Sequence, residues 1–469
     1  MSRTAPRVAP APVAARQLSL GLPHGLPEVG IEADWGSQPR LWGHSLHPLC
    51  SYLASFPAAL AHAFVARYSR PGDVVLDPFA GRGTTPLQAI VEGRIGVGND
   101  LNPLAHLLTA AKVEPATRAE HATRLAVLRL AHRRGEGEWT DLGRTVAADP
   151  GAGGILVPSA GSGLGPDAGT EPVPAEVALA FDPWTLGQVL ALRSQLDLTD
   201  RTDRSLAAAL AGILHGKTAG YLTTLMPNTF SMAPGYVRRF AATTGYEAPR
   251  RDAFALLEAK LARLHRDPLP TTPGLALAGD ARDVGARAPE ALRARGLPER
   301  TRLVVTSPPY LRVLKYGYYN WLRTWLLGFD SRAIDAALDD AHRRAPYLAF
   351  MAEVLGGLHE ALADDAVVVL VIGDVETDRG RRSADGLGLA EAVWEEAARP
   401  GGYALVGIVR DPVAPSRKVT RVWGKEAGRA TATDAILVLG ASEIGRRRAL
   451  AGAPVPVDWT WPPRGPRVA

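Results

Sequence analysis

The stretch VVLDPFAGRGTT, residues 74–85, decides how this chain folds. Its first residues are apolar and predict a buried β-strand, and its glycines predict a tight turn that leads into a helix. Gly81 and Gly83 can adopt a positive φ and let the backbone pass close to a ligand. We expect Thr84 or Thr85 to cap the helix, whose free N–H groups face the same ligand.

A second apolar strand, residues 95–97, leads to Asp100. A carboxylate at the end of this strand can accept hydrogen bonds from both ribose hydroxyls of a nucleotide cofactor. It can equally cap the helix that begins near Pro103, and the two roles are compatible. A dinucleotide fingerprint would place a third glycine three residues after Gly83, where Pro86 stands, so NAD is the weaker alternative.

Farther along the chain, apolar strands alternate with helical stretches, which is the pattern of a parallel α/β sheet. The clearest further strands cover residues 275–277, 303–305, 367–372 and 435–439. In an open sheet of this kind the carboxyl ends of the strands form the ligand crevice. Asp280 follows the strand at 275–277. It either binds the amino group of an adenine or is an ordinary turn residue.

The stretch LVVTSPPY, residues 303–310, predicts the chemistry. Pro308 and Pro309 fix φ and remove two backbone donors directly after a buried strand, which leaves carbonyl acceptors near the crevice. The Ser307 hydroxyl and the Pro308 carbonyl offer two acceptors, and an exocyclic amine has two N–H groups. Tyr310 offers a flat face on which a flipped base can stack. The alternative is a rigid turn with a packed tyrosine.

The two stretches together resemble the bacterial DNA amino-methyltransferases, the group that methylates N4 of cytosine or N6 of adenine. The resemblance covers most of residues 45–115 and 275–440. It implies S-adenosylmethionine as the cofactor and an α/β fold, with a Rossmann-like methyltransferase sheet and a terminal antiparallel hairpin that residues 404–409 and 435–439 match. The resemblance assigns cofactor binding to Tyr52, Phe56, Asp77, Pro78, Phe79, Gly81, Gly83, Thr84, Asp100, Asn102, Asp280 and Ala281, and catalysis to Ser307, Pro308, Pro309 and Tyr310.

The position of Ser307 indicates which base is modified. A serine at the start of this motif is typical of the N4-cytosine branch, whereas aspartate predominates among N6-adenine enzymes. We therefore expect a site-specific cytosine-N4 DNA methyltransferase, with N6-adenine methylation as the first alternative. An RNA base amino-methyltransferase and a non-catalytic DNA-binding subunit are further alternatives, although no RRM signature is present and the motifs are intact. A cytosine-C5 enzyme is excluded, because its nucleophilic cysteine is missing from the motif and Cys50 is the sole cysteine.

Composition along the chain predicts its organisation. Residues 1–30 are rich in Ala, Pro and Arg and predict a flexible tail. Residues 31–115 and 271–469 form the predicted catalytic domain. Residues 116–270 form a mostly helical insertion, for which recognition of the DNA target and contact with a protein partner are the two alternatives. Within it, His215, Tyr221 and residues 226–231 suit base contacts or strand wedging, and they suit ordinary packing equally well. The aromatic residues at 316–325, after the catalytic motif, are expected to line the base pocket in part and to pack in the core in part.

Low-complexity stretches and single motifs complete the sequence-based picture. Residues 149–174 and 377–385 predict surface loops. Residues 17–22, QLSLGL, resemble the short peptides that dock into the bacterial sliding clamp. A loop that carries Arg410, Arg417, Lys418, Arg421 and Lys425 is expected to hold DNA phosphates.

Charge, hydropathy and cysteine count restrict the classes of partner, compartment and metal site that the sequence allows. The formal net charge of +5 suits a polyanionic partner only weakly, so DNA as the partner rests on the motifs. A run of about 18 apolar residues is missing, and we expect neither a membrane span nor a secretory signal. A lone cysteine predicts neither disulfides nor a multi-cysteine zinc site, and no metal is expected. We expect a cytoplasmic protein and a cognate restriction nuclease as a further partner.

Overall fold

The computed structural model describes most of the chain. The described residues are 27, 35–53, 55–149, 156–158, 170–227, 230–309, 315–338, 343–374, 388–412, 433–451 and 457–461. Several predictions concern residues outside these ranges. They are the clamp-like peptide and nearly all of the 1–30 tail, the base-stacking Tyr310, the loop at 377–385, and Arg417, Lys418, Arg421 and Lys425 of the basic loop.

In the described part of the chain, seven strands form the central sheet, and two short strands pair separately. The strands are β1 Val74–Asp77, β2 Ile95–Asp100, β3 Leu156–Pro158, β4 Thr170–Pro172, β5 Gly274–Ala278, β6 Thr301–Thr306, β7 Leu362–Asp374, β8 Ala404–Pro412 and β9 Thr433–Gly440. The sheet order is β5-β2-β1-β6-β7-β9-β8, and β3 pairs with β4. The pairs from β5 to β7 are parallel, and β9 lies antiparallel between β7 and β8. The predicted Rossmann-like methyltransferase sheet with its terminal hairpin is confirmed.

The helices cover the sheet and fill the long connection between β2 and β5. They are α1 Ala58–Tyr68, α2 Thr84–Val91, α3 Pro103–Val113, α4 Arg118–Arg134, α5 Glu136–Ala148, α6 Ala175–Ala180, α7 Pro183–Gln195, α8 Arg201–Ala211, α9 Pro234–Thr244, α10 Ala253–Leu264, α11 Val284–Ala294, α12 Trp321–Leu326, α13 Ser331–Ala337, α14 Arg344–Leu358, α15 Leu389–Ala392 and α16 Glu443–Ala451. Among the described residues, none of the helices has the length and apolar character that a membrane crossing requires. The division into catalytic part and insertion stays a prediction.

Alternation along β1 shows how the core is built. Val74 and Leu76 join one apolar cluster, which α11 and α14 complete, and Val75 joins a second cluster on the opposite face with α1. A strand that is buried on both faces needs the continuous apolar run that the sequence shows. A third cluster gathers α7, α8 and α10 together with α3 and α12. The helices between β2 and β5 therefore share their core with elements that flank the sheet.

Candidate active site

The carboxyl ends of β1, β2, β5 and β6 lie side by side, because these four strands are parallel neighbours in the sheet. Polar or glycine-bearing turns follow each of them. This edge of the sheet therefore brings Asp77, Asp100, Asp280 and Ser307 to one crevice, as expected for ligand sites in open α/β sheets.

The glycine turn after β1 is shaped by two positive φ angles, 52° at Gly81 and 72° at Gly83. A Cβ added to Gly83 would lie 2.9 Å from the Cα and the Oγ1 of Thr109, so α3 leaves no room for a side chain there. The prediction that a threonine caps α2 is wrong. The N-cap is Gly83, with no side-chain cap, because Thr85 donates its hydroxyl to the Val305 carbonyl at 3.0 Å and Thr84 accepts from the Arg82 guanidinium.

Asp100 fixes the turn from β2. One of its carboxylate oxygens accepts the Gly81 N–H at 2.8 Å, and the other accepts the Asn102 N–H at 2.9 Å. Burial raises the pKa of Asp100 to about 6. The cap of α3 is Asn102, whose side chain accepts the Leu104 N–H at 3.0 Å, so the alternative role for Asp100 as the helix cap is not what the structure shows. Asp100 is thereby held in the crevice.

Tyr52 packs against the glycine turn. Its hydroxyl accepts a hydrogen bond from the Asn102 amide at 2.9 Å, and its ring lies 3.6 Å from where a Cβ on Gly81 would be. The ring also stacks on Tyr316, with centroids 5.8 Å apart and an angle of 18°. Phe56, by contrast, is buried in the apolar cluster on the α1 face of the sheet. Of the two aromatic residues predicted to flank the cofactor, Tyr52 is the one in contact with the other site residues.

The turn after β5 contributes a separate group of contacts. Asp280 accepts the backbone N–H of Arg282 at 2.8 Å and forms an ion pair with its guanidinium at 3.0 Å. Burial would raise the pKa of Asp280, but the hydrogen bonds and charge of Arg282 outweigh it and hold the pKa below its ordinary value. The Arg282 guanidinium covers the Phe350 ring, which lies 5.9 Å from Phe79. Asp280 and the neighbouring Ala281 therefore lie on the Phe79 side of the crevice. Both roles considered for Asp280 remain compatible with this geometry.

Asp77 joins the glycine turn to the β6 strand. Its carboxyl group accepts the Thr306 hydroxyl at 2.6 Å and the Phe79 N–H at 3.1 Å, and burial raises its pKa to about 7. The carbonyl of Pro78 accepts the Asn99 amide at 3.2 Å, which links the same turn to β2. These contacts hold the ends of three adjacent strands together.

Ser307 follows Thr306 directly and differs from it in one respect. Its Oγ is buried and has no hydrogen-bond partner among the described residues. Pro308 is buried and Pro309 is partly exposed, which places the Ser-Pro-Pro turn at the crevice wall. A buried hydroxyl without a partner lowers the free energy of unfolding by about 1–3 kcal/mol. The Ser307 hydroxyl is therefore available to form a hydrogen bond with a bound molecule.

Lys112 and Arg82 support the site but were not predicted from the sequence. The Lys112 ammonium is fully buried and donates to the Arg82 carbonyl at 2.5 Å and the His47 carbonyl at 3.3 Å. Burial lowers its pKa well below the ordinary value. A lysine within the apolar helix α3 was the available signal, since a buried lysine needs a structural reason.

The residues around the crevice fit S-adenosylmethionine. The carboxylate of Asp100 suits ribose hydroxyls, the space in front of Gly81 and Gly83 admits a ligand close to the backbone, and Phe79 offers an apolar face. The uncapped N–H groups at the start of α2 suit a negatively charged group.

Comparison with known proteins agrees with this site. A family model described as DNA methylase matches residues 37–110. The type II methyltransferase M.MjaII of Methanocaldococcus jannaschii is 34% identical over 95 residues, which are 19% of this chain and 17% of that protein. The type II methyltransferase M.Cfr9I of Citrobacter freundii is 38% identical over 79 residues, 16% of this chain and 26% of that protein. The chain thus matches about a quarter or less of the length of these relatives.

Two solved structures show a weaker likeness. TrmN from Thermus thermophilus has a TM-score of 0.28 at 13% identity, over 84% of this chain and 52% of that one. The rRNA methyltransferase aviRa from Streptomyces viridochromogenes has a TM-score of 0.30 at 13% identity, over 88% and 93%. The sequence match at residues 37–110 contains the whole glycine turn, and the two type II methyltransferases agree with it. This part of the chain is therefore similar to DNA methylases of the N6-adenine and N4-cytosine group, in agreement with a crevice that fits S-adenosylmethionine.

Proposed function

We propose that this protein is a site-specific DNA methyltransferase that transfers a methyl group from S-adenosylmethionine to N4 of cytosine. The observation that carries the proposal is the buried Ser307 hydroxyl, which has no partner among the described residues. A cytosine amino group would satisfy that hydroxyl. The choice of cytosine over adenine rests on serine, rather than aspartate, at this position of the motif.

The receptor for the amine consists of two acceptors. In our proposal the Ser307 hydroxyl accepts one N–H of the amine and the Pro308 carbonyl accepts the other. With both N–H groups held, the nitrogen is drawn toward pyramidal geometry and its lone pair becomes available for methylation, after which the nitrogen loses one of its two protons. The rate enhancement comes mainly from this alignment. Tyr310 would stack on the flipped base, which keeps the amine in plane with the two acceptors.

The cofactor would be held by the turns already described. Asp100 would accept the ribose hydroxyls, Tyr52 and the Gly81 backbone would contact the methionine end, and Phe79 and Asp280 would contact the adenine. When bound, the cofactor supplies a methyl group activated by its positively charged sulfur. The Asp77–Thr306 hydrogen bond keeps the cofactor turn in register with the amine receptor.

Target recognition is the role that we propose for the helices between residues 116 and 270. Two hydrogen bonds support it, because they join this region to the segment that follows the Ser-Pro-Pro turn. The Ser231 N–H donates to the Tyr319 carbonyl at 2.7 Å, and the Trp321 indole donates to the Met232 carbonyl at 2.7 Å. A loop held in this way can contact the bases that flank the target.

The proposal is tested by expressing the protein in a host that lacks amino-methylated bases. Wild type, Ser307→Ala and Ser442→Ala are compared, and nucleosides from DNA and RNA are quantified by mass spectrometry. Ser442 is the matched control because its hydroxyl donates to the Asp364 carbonyl near the start of β7, away from the crevice. We expect N4-methylcytosine in DNA for wild type and Ser442→Ala, and a much lower level for Ser307→Ala.

Other outcomes would change the proposal in defined ways. N6-methyladenine in DNA would keep the receptor and overturn the choice of base. A modified base in RNA alone would overturn DNA as the substrate. N4-methylcytosine at wild-type level in the Ser307→Ala strain would overturn the role of the hydroxyl.

A further inference from the structure

An aromatic segment follows the Ser-Pro-Pro turn and presents one ring to solvent. Tyr316 packs inward, where its ring stacks on Tyr52 at the cofactor turn. Two residues later, the Tyr318 side chain is 39% exposed. Because Cα atoms two residues apart are separated by about 7 Å at most, the Tyr318 backbone lies close to this contact.

The backbone under Tyr318 is fixed by a single carboxylate. Asp335 accepts the Gly317 N–H at 2.7 Å and the Tyr318 N–H at 2.9 Å. A Cβ added to Gly317 would lie 2.0 Å from the Ser331 carbonyl oxygen, so the segment is pressed against α13. An exposed tyrosine on a backbone held in this way loses little conformational entropy when it binds, since it has two side-chain torsions.

The ring of Tyr318 is also supported from inside the protein. It contacts Tyr319 edge-on, with centroids 5.5 Å apart, and Tyr319 contacts the buried Phe230 in the same way at 5.6 Å. The three rings form a continuous row from the interior to the surface.

From these contacts we propose that Tyr318 enters the base stack of the DNA duplex and fills the space that the extruded target base leaves. This inference rests on the proposed function, since it concerns how a base in a duplex reaches Ser307. Extrusion costs free energy in lost stacking and pairing, and the cost is smaller when the base is mismatched. An aromatic ring that stacks in the vacated space offsets part of this cost.

The test compares two duplexes that differ only in pairing at the target. Both carry the site mapped from the modified positions in the expression host, and in one of them the target cytosine faces a mismatch. Rates of methyl transfer are measured with wild type, Tyr318→Phe and Tyr318→Ala. Ile444→Ala is the control, because Ile444 on α16 is an exposed apolar side chain, at 54%, that lies outside the crevice and outside the proposed recognition region.

We expect Tyr318→Ala to methylate the paired duplex about tenfold more slowly and the mismatched duplex within about threefold of wild type. Tyr318→Phe and Ile444→Ala should match wild type on both. An equal loss on both duplexes, or no loss on the paired one, would overturn the inference while wild-type activity upholds the proposed function. Inactivity of wild type on both duplexes would instead overturn the proposed function, and this inference with it.

Discussion

The hydroxyl of Thr306 donates a 2.6 Å hydrogen bond to the buried carboxyl group of Asp77. This contact joins the end of β6, where the amine receptor begins, to the end of β1, where the cofactor turn begins. The two residues lie on adjacent parallel strands, so the contact requires the sheet register and cannot form locally. It joins the two halves of the proposed site directly.

Replacing Thr306 by valine removes the hydroxyl donor, so the buried Asp77 carboxyl group loses one of its hydrogen bonds. We expect a loss of about 1–3 kcal/mol in the free energy of unfolding, with weaker binding of S-adenosylhomocysteine. Thr306→Ser keeps the hydroxyl and is the matched control. Urea denaturation and calorimetric titration measure the two effects. Wild-type stability in Thr306→Val would show that the contact contributes nothing.

Asp77 gives stability a specific pH dependence. Burial raises its pKa from 3.8 to about 7, so the folded state binds the proton more tightly than the unfolded state. Its contribution is fully present below pH 4 and is lost as pH rises toward 7, with a slope of at most about 1.4 kcal/mol per pH unit. Asp77→Asn does not titrate, so its stability relative to wild type should rise from pH 5 to pH 7. Parallel profiles in urea denaturation would contradict this assignment.

The raised pKa of Asp100 leads to a prediction of how cofactor binding depends on pH. Burial raises its pKa to about 6, and the proposed contact with ribose hydroxyls needs the ionised carboxylate. We expect the dissociation constant of S-adenosylhomocysteine to increase about tenfold per pH unit below 6. Asp100→Asn should bind more weakly at pH 8 and show little change toward pH 5. An equally steep pH dependence in Asp100→Asn would place the titrating group elsewhere.

Substitution of Gly83 tests whether cofactor binding depends on the backbone conformation of the glycine turn. Gly83→Ala combines a positive φ, which costs about 1–2 kcal/mol for a residue with a Cβ, with a contact against Thr109. We expect lower stability and at least about tenfold weaker cofactor binding, because the turn must shift. Gly245→Ala is the control, since Gly245 also has a positive φ but open space around it. It should lose stability only, and equal effects on cofactor binding would contradict the account.

The sheet could be predicted from the sequence because its signals are local. The apolar runs at 74–76, 303–305 and 367–372 are buried on both faces, and each lies within a longer strand of the structure. The helices around 183–211 likewise follow from short-range periodicity, whereas the terminal hairpin at 404–412 and 433–440 was predicted from the family resemblance.

Contacts between distant segments could not be predicted in this way. Thr85 was expected to cap α2, but its hydroxyl instead bonds a carbonyl of β6, 220 residues away. The stack of Tyr52 on Tyr316 and the burial of Lys112 under the glycine turn depend equally on tertiary packing. A sequence pattern reports the preference of a segment for a structure, whereas these contacts depend on which segments the fold brings together.

The central claim is that this protein methylates the exocyclic amine of cytosine through Ser307. The most direct measurement incubates purified protein with unmethylated DNA and S-adenosylmethionine that carries a deuterated methyl group, followed by mass spectrometry of the nucleosides. The account predicts deuterium-labelled N4-methylcytosine with wild type and a rate about a hundredfold lower with Ser307→Ala. Label in another base, or equal labelling by both proteins, would contradict it.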